Sequence, residues 1–194
     1  MKCSKARRCF FPKSDFPNRR VLLLEGFVPG AFEKLDDGFL NHLGKEGRVF
    51  WLYKFRSMRA GDSEINVTAE GDSRITTVGR FLRRVKMDEL PQLINVIKGE
   101  MSLVGPRPEV PEYVERYSAE QREILSVRPG ITGLAQLEFR DEERLLAGRS
   151  DVKSFYLAEV MPQKLEIDRR YVRERSLLLD VVILFRTAGA VLKR

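Results

Sequence analysis

Lys86-Met87-Asp88-Glu89-Leu90-Pro91-Gln92-Leu93-Ile94-Asn95-Val96-Ile97-Lys98-Gly99 is the stretch on which the reading of the chain turns. Leu90, Leu93, Ile94 and Ile97 recur at i, i+3, i+4 and i+7, the apolar stripe of an amphipathic helix. Pro91 falls in the first turn, where its missing N–H costs nothing, and Gly99 is a natural stop. The spacing predicts Asp88 as the N-cap with Glu89 just inside the helix, both at the positive end of the macrodipole, which favours their ionised forms. Capping alone would account for an isolated Asp-x-x-Pro. The neighbours ask for more, since Arg80, Arg83, Arg84 and Lys86 precede the pair and Gly105-Pro106-Arg107-Pro108 follows it. Paired carboxylates among several cations suit a site that an anionic substrate shares with a divalent metal.

The whole chain has 194 residues, enough for one domain with a proper core. Its hydrophobic and charged fractions, 43% and 32%, describe a folded protein with a highly charged surface. The net charge of +7 is concentrated at the start: residues 1–20 hold seven Lys and Arg against a lone Asp15. The remainder is near neutral, with cations and acids interleaved, which argues against a nucleic-acid-binding face but permits a local anion pocket. Cys3 and Cys9 are the only cysteines and His42 the only histidine, so a disulfide framework and a Cys/His metal site are both disfavoured. No run reaches the ~20 apolar residues that span a bilayer, and no apolar core of a signal peptide follows the basic start. The longest apolar run, Ser176 to Leu192, is interrupted by Asp180 and Arg186 and reads as a core or interfacial helix.

Along the chain, residues 1–20 read as disordered, and residues 21–46 as broken by Gly and Pro without a definite element. Val49 to Arg56 is aromatic and β-prone and reads as a strand whose last cations, Lys54 and Arg56, share one face. Ala60 to Gly71 reads as loop. Thr77 caps a helix over Val78 to Arg84 that buries Phe81 and Leu82 and turns Arg80, Arg83 and Arg84 outward. Pro106 and Pro108 stiffen the backbone around Arg107, whose guanidinium suits bidentate phosphate binding. Glu109 to Tyr117 reads as a helix, and Ser118-Ala119-Glu120-Gln121 as a capping box opening another. Arg128-Pro129-Gly130-Ile131-Thr132-Gly133 reads as a second stiff loop able to bring backbone N–H groups to an anion. Arg140 to Gly148 reads as a charged surface excursion, followed by a helix from a Ser150 cap to Val160, stopped at Pro162. Gln163 to Arg175 reads as a charged amphipathic helix and Ser176 to Lys193 as the apolar one. The sum is an α+β fold, a mostly helical single domain with a small β-sheet or hairpin and a terminal amphipathic helix.

An Asp-Glu pair at a helix start, ringed by guanidinium groups on rigid loops, suits phosphoryl transfer, which is mostly positioning and charge neutralisation. Two carboxylates beside phosphates require an intervening cation, and Mg²⁺ is the default.

The motifs Tyr53-Lys54-Phe55-Arg56-Ser57-Met58, Gly79-Arg80-Phe81-Leu82-Arg83, Asp88-Glu89-Leu90-Pro91-Gln92 and Ser102-Leu103-Val104-Gly105-Pro106-Arg107-Pro108 stand in one order with Arg128–Gly133 and Tyr171-Val172 … Ser176-Leu177 … Asp180. Together they resemble the bacterial sugar transferases, monotopic polyprenyl-phosphate phosphoglycosyl transferases, over about residues 47 to 192. The resemblance implies transfer of a phosphosugar from a nucleotide-diphosphate sugar, usually a UDP-sugar, to polyprenyl (undecaprenyl) phosphate with release of UMP. This would be the first membrane step of exopolysaccharide, O-antigen or glycan synthesis, at the cytoplasmic leaflet, upstream of further glycosyltransferases. It implies Asp88 as nucleophile of a covalent intermediate and Glu89 as metal ligand or acid/base partner, with Asp88 and Glu89 holding Mg²⁺. Arg107 matches the family's phosphate-binding arginine, and Lys54, Arg56, Arg83, Arg128 and Asp180 match polar positions of the site and nucleotide pocket. Family members normally open with a hydrophobic re-entrant helix that residues 1–46 do not show. Hence the division into a divergent basic segment, 1–46, and a catalytic domain, 47–194, and a second reading as an inactive truncated relative that binds a nucleotide sugar or a partner glycosyltransferase.

Overall fold

A computed structural model describes residues 41–59, 72–149 and 151–193. The expectations for residues 1–40 and for the 60–71 loop, and the Ser150 cap, lie outside the described residues.

The fold is mostly helical with two small sheets, the α+β class expected. β1 (Asn41–Leu43) and β2 (Val49–Trp51) form an antiparallel hairpin with His42 opposite Phe50. A tight turn with Glu46 and Gly47 at positive φ joins them. The strand foreseen to Arg56 leaves the ladder at Trp51. α1 (Thr77–Arg84) is capped by the hydroxyl of Thr76, which accepts from Gly79 N, one residue earlier than expected. A 3₁₀ turn, Met87–Glu89, precedes α2 (Gln92–Ile97). β3 (Ser102–Val104) pairs in parallel with β4 (Gly130–Thr132). Between them lie α3 (Pro111–Val114) and a 3₁₀ segment, Gln121–Ser126.

The capping box forms as read, with Ser118 N donating to Gln121 Oε1 and Gln121 N to Ser118 Oγ, although it opens a 3₁₀ segment. Only Pro111–Val114 of the helix foreseen from Glu109 to Tyr117 is α-helical. Arg140 to Gly148 is not a mere surface excursion, because α5 (Glu142–Leu146) buries Leu146 completely. It follows α4 (Leu134–Glu138).

Pro162 does not stop a helix. α6 (Val152–Phe155), capped by Asp151, continues through a π-helical turn, Tyr156–Val160, into α7 (Met161–Glu174). The widened turn lies directly before Pro162, whose ring and missing N–H disrupt the regular hydrogen-bond ladder there. α8 (Leu177–Leu192) starts at Ser176, whose hydroxyl accepts from Leu179 N. The main core joins Tyr113, Val114, Tyr117 and Ile124 to Leu146, Tyr156, Val160, Met161 and Leu165. A second cluster seats α8 through Ile183 on Val104, Leu134 and Tyr171.

The helix at the centre of the sequence reading is turned over. Its stripe faces outward, with Leu90, Leu93 and Ile94 substantially exposed and Ile97 86% exposed. Gln92 and Asn95 face inward instead, and Asn95 is 0% exposed. Asn95 Nδ2 donates to Trp51 O (2.6 Å) and Glu100 Oε2 (2.8 Å), and its Oδ1 accepts from Tyr53 N (3.1 Å). The amide thus acts as a missing ladder partner for a chain leaving β2. α1 shows the same inversion: Phe81 is 61% exposed, while Arg83 is drawn inward onto Glu143.

Removing the amide leaves three part-buried polar groups without that partner. Asn95→Ala is expected to lower unfolding free energy by about 3 kcal/mol, and Ile97→Gln by no more than about 0.5 kcal/mol. Denaturant unfolding of both variants checks this, and equal losses would contradict the outward orientation of the stripe.

Candidate active site

Two carboxylates and two cations form the centre. Asp88 and Glu89 are both buried, at 2% and 8% exposure. Asp88 is not an N-cap: it sits inside the 3₁₀ turn, and no side chain caps either that turn or α2. The chain enters the turn through Lys86 at φ 57, a left-handed conformation uncommon for a residue with a side chain. Phe55 N donates to Asp88 O (3.0 Å), so the segment that follows β2, anchored by Asn95, runs on alongside the carboxylate pair. That register delivers Lys54, whose Nζ lies 3.1 Å from Asp88 Oδ2. Asp88 Oδ1 is buried without a hydrogen-bond partner.

Glu89 has a different partner. Arg107 donates from both Nη1 and Nη2 to Glu89 Oε1, each at 3.2 Å. Burial by itself would raise the Glu89 pKa, but the charges of Arg107, Lys86 and Lys54, with the Arg107 hydrogen bond, hold it down at about 2. The same pairing raises the pKa of Arg107. Arg107 is presented by the loop after β3, which is pinned to β4: Gly105 N donates to Thr132 O and Gly130 N to Pro106 O. A side chain at Gly105 or Gly130 would collide with the opposing backbone. Those bonds also correct the second loop. Residues 130–132 are a strand, and the Gly130 N–H is committed to Pro106 rather than open to an anion.

The other expected site residues are more dispersed. Arg56 is exposed. Arg83 bonds Glu143 and approaches Met58 Sδ at 3.5 Å. Arg128 is exposed near the end of α2, its Nη1 3.7 Å from where a side chain at Gly99 would begin. Asp180, in the first turn of α8, accepts from Tyr171 Oη at 2.7 Å, and Tyr171 Oη also reaches Val104 O. Sequence reasoning missed Asn95, visible only as the one amide inside an apolar run, and a buried group of Glu109, Tyr156, Lys164 and Asp168. Lys164 and Asp168, spaced i, i+4 on α7, were the available signal for the latter.

The family model for bacterial sugar transferases matches residues 39–194. The chain belongs to the bacterial sugar transferase family. It is 38% identical over 169 residues to the undecaprenyl-phosphate galactose phosphotransferase of Salmonella typhimurium, covering 78% of this chain and 32% of that protein. It is 40% identical over 156 residues to the UDP-glucose:undecaprenyl-phosphate glucose-1-phosphate transferase of Xanthomonas campestris pv. campestris, covering 77% and 30%. The exopolysaccharide production protein ExoY of Sinorhizobium fredii is 38% identical over 192 residues, covering 88% of this chain and 76% of ExoY. The chain thus spans about a third of the first two relatives and about three quarters of the third.

Among the described residues no group of three or more His, Cys, Asp and Glu side chains could hold a metal. The Asp-Glu pair nevertheless fits Mg²⁺, which typically takes one or two carboxylates and completes its octahedron with phosphate oxygens and water. Both Arg107 hydrogen bonds fall on Glu89 Oε1, so the second oxygen of that carboxylate is a hard donor of the required kind beside Asp88.

The depressed Glu89 pKa carries a sign. Its ionised form is favoured by folding, so the stabilisation is complete above the ordinary value of 4.5 and is lost as pH falls from there towards 2. The wild type is expected to lose about 3 kcal/mol more than Glu89→Gln over that interval, an order-of-magnitude figure from the shift. Denaturant midpoints at pH 5 and pH 2 measure the difference, and parallel losses would show that the pair contributes nothing.

Proposed function

We propose that this chain transfers a phosphosugar from a nucleotide-diphosphate sugar, a UDP-sugar, to polyprenyl phosphate through a covalent intermediate on Asp88. The observation that carries the reading is Asp88 Oδ1, buried and unbonded beside Lys54 and the Glu89–Arg107 pair in a member of this family. The names of the relatives support undecaprenyl phosphate as the lipid acceptor.

In the first half-reaction Asp88 Oδ1 attacks the phosphorus that bears the sugar. The bond from that phosphorus to the bridging oxygen breaks, and UMP leaves with the electron pair. In the second half an oxygen of polyprenyl phosphate attacks the same phosphorus, the acyl-phosphate bond breaks, and Asp88 returns as a carboxylate. Lys54 and Arg107, which now neutralise the two carboxylates, turn to the phosphate oxygens as the donor enters. Glu89 stays ionised beside them, as metal ligand or acid/base partner. Glu89, with the Asp88 oxygen that does not attack, would hold Mg²⁺, which would neutralise phosphate charge when bound. Arg56, Arg128 and Asp180 are assigned to the nucleotide and outer phosphates, and Arg83 joins them on leaving Glu143.

A lipid acceptor places the reaction at a membrane, on the cytoplasmic leaflet where nucleotide sugars are found. Among the described residues no helix is long and apolar enough to cross one. The support for a surface-bound protein is instead the outward apolar set: Val78 and Phe81 on α1, Leu93 and Ile97 on α2, Leu178 and Phe185 on α8. Exposed Arg80, Arg84 and Lys98 accompany them, as anionic headgroups would favour.

Given Mg²⁺, polyprenyl phosphate in detergent and a panel of UDP-sugars, the protein is expected to release UMP with one of them. Asp88→Asn should reduce turnover by about 10³-fold or more; undiminished turnover in that variant would remove the covalent route, and release with no sugar the transferase reading. Phe81→Glu combined with Ile97→Glu should weaken co-sedimentation with phosphatidylglycerol vesicles by about tenfold or more. Unchanged binding would show that this face does not meet lipid.

A further inference from the structure

Arg107 has a second environment besides Glu89. With Glu109, Tyr117, Tyr156, Lys164 and Asp168 it lines a small internal cavity. Tyr117, Tyr156, Lys164 and Asp168 are each less than 9% exposed, and Glu109 is half-buried. Tyr156 Oη donates to Glu109 Oε1 at 3.3 Å. Lys164 Nζ lies 2.8 Å from Glu142 Oε2 and 3.5 Å from Tyr156 Oη, over the face of the same ring. Asp168, one turn further along α7, has a buried Oδ1 without a partner.

Carboxyl groups outnumber cations around this cavity. Glu109, Asp168 and Glu142 are three carboxyl groups, and Arg107 and Lys164 are the cations whose fields reach Glu109. Burial pushes Asp168 up to about 7, with Lys164 opposing and Glu109 adding, so near neutral pH it carries only part of a negative charge. Burial also raises Glu109 and Glu142 adds to it, opposed but not outweighed by Lys164, Arg107 and the Tyr156 hydroxyl. Arg107 is therefore pulled two ways, by Glu89 through hydrogen bonds and by Glu109 through its field. A guanidinium drawn back to the cavity would abandon the carboxylate pair.

We propose that Lys164 is a positioning residue for Arg107: by neutralising the carboxylates of the cavity, it leaves the guanidinium directed at Glu89 and the phosphate site. The inference rests on the transferase reading only in giving Arg107 a phosphate to hold. Lys164 touches no substrate, and it acts through Tyr156, Glu109 and Glu142.

The test uses the whole chain labelled with ¹⁵N-arginine, following the guanidinium N–H signals of Arg107. Those of Arg173, paired with Glu123 elsewhere, report folding. Lys164→Met is expected to displace the Arg107 signals while those of Arg173 stay, and to weaken binding of UDP, measured by calorimetry, about tenfold or more. Lys164→Arg should restore both. So should Lys164→Met combined with Glu109→Gln, because the second change removes the carboxylate that draws Arg107 away; a merely structural lysine would not be rescued this way. Should Lys164→Met fail to fold, Lys164→Gln carries the same expectations. Arg107 signals unmoved in the folded variant, or not recovered in the double variant, would overturn the inference. Signals that move and recover while Arg107→Gln binds UDP like the wild type would uphold the positioning and overturn the donor-site reading.

Discussion

The Asn95 amide holds the chain that leaves β2 against α2, and the site depends on that contact. With Tyr53 N and Trp51 O fixed to one side chain, the next residue, Lys54, is delivered to Asp88 Oδ2, and Phe55 N reaches Asp88 O. Two segments more than thirty residues apart are thereby set side by side without a continuous sheet. The Asn95 amide itself is fully buried, so leaving its hydrogen bonds unmade would be costly. A helix that commits its polar side to this task must turn its apolar side out.

That inversion links local structure to function. Leu90, Leu93, Ile94 and Ile97 have the spacing of a core-facing stripe, and periodicity cannot say which medium the stripe will meet. In a water-soluble domain the core is the default partner. Here the inner side of α2 is shared between the Asn95 amide network and Val96, which packs on Phe50, Leu52 and Met101, and the Leu-Ile stripe is left at the surface. The lipid-borne acceptor proposed above would give such a surface a use.

The site itself is a balance of charges at close quarters. Each buried carboxylate has its own cation, Asp88 with Lys54 and Glu89 with Arg107, and the second pair is fixed by loops that the parallel β3–β4 contact pins together. Glu89 is kept ionised by these charges against the pull of its own burial. The cavity behind Arg107 repeats the arrangement with Lys164 at its centre. The raised pKa of Asp168 and the cation of Lys164 both lessen the negative charge that could draw the guanidinium away from Glu89.

The sequence by itself determined the class of fold, the Thr76–Arg84 helix to within a residue, the Ser118/Gln121 capping box and the α8 start at Ser176, because short-range hydrogen bonds and propensity decide those. It also brought Asp88, Glu89, Lys54 and Arg107 into one candidate site, through ordered motifs rather than through spacing. Tertiary structure decided which side of α1 and α2 is buried, that residues 130–132 are a strand, and that a helix runs through Pro162. It also decided that Asp88 sits in a 3₁₀ turn before α2. The orientation of α2 and the β4 strand depend on partners far along the chain: Trp51 and Tyr53 for Asn95, Pro106 and Gly105 for β4. A one-dimensional pattern records that a residue is polar or apolar; only the folded chain shows what it faces.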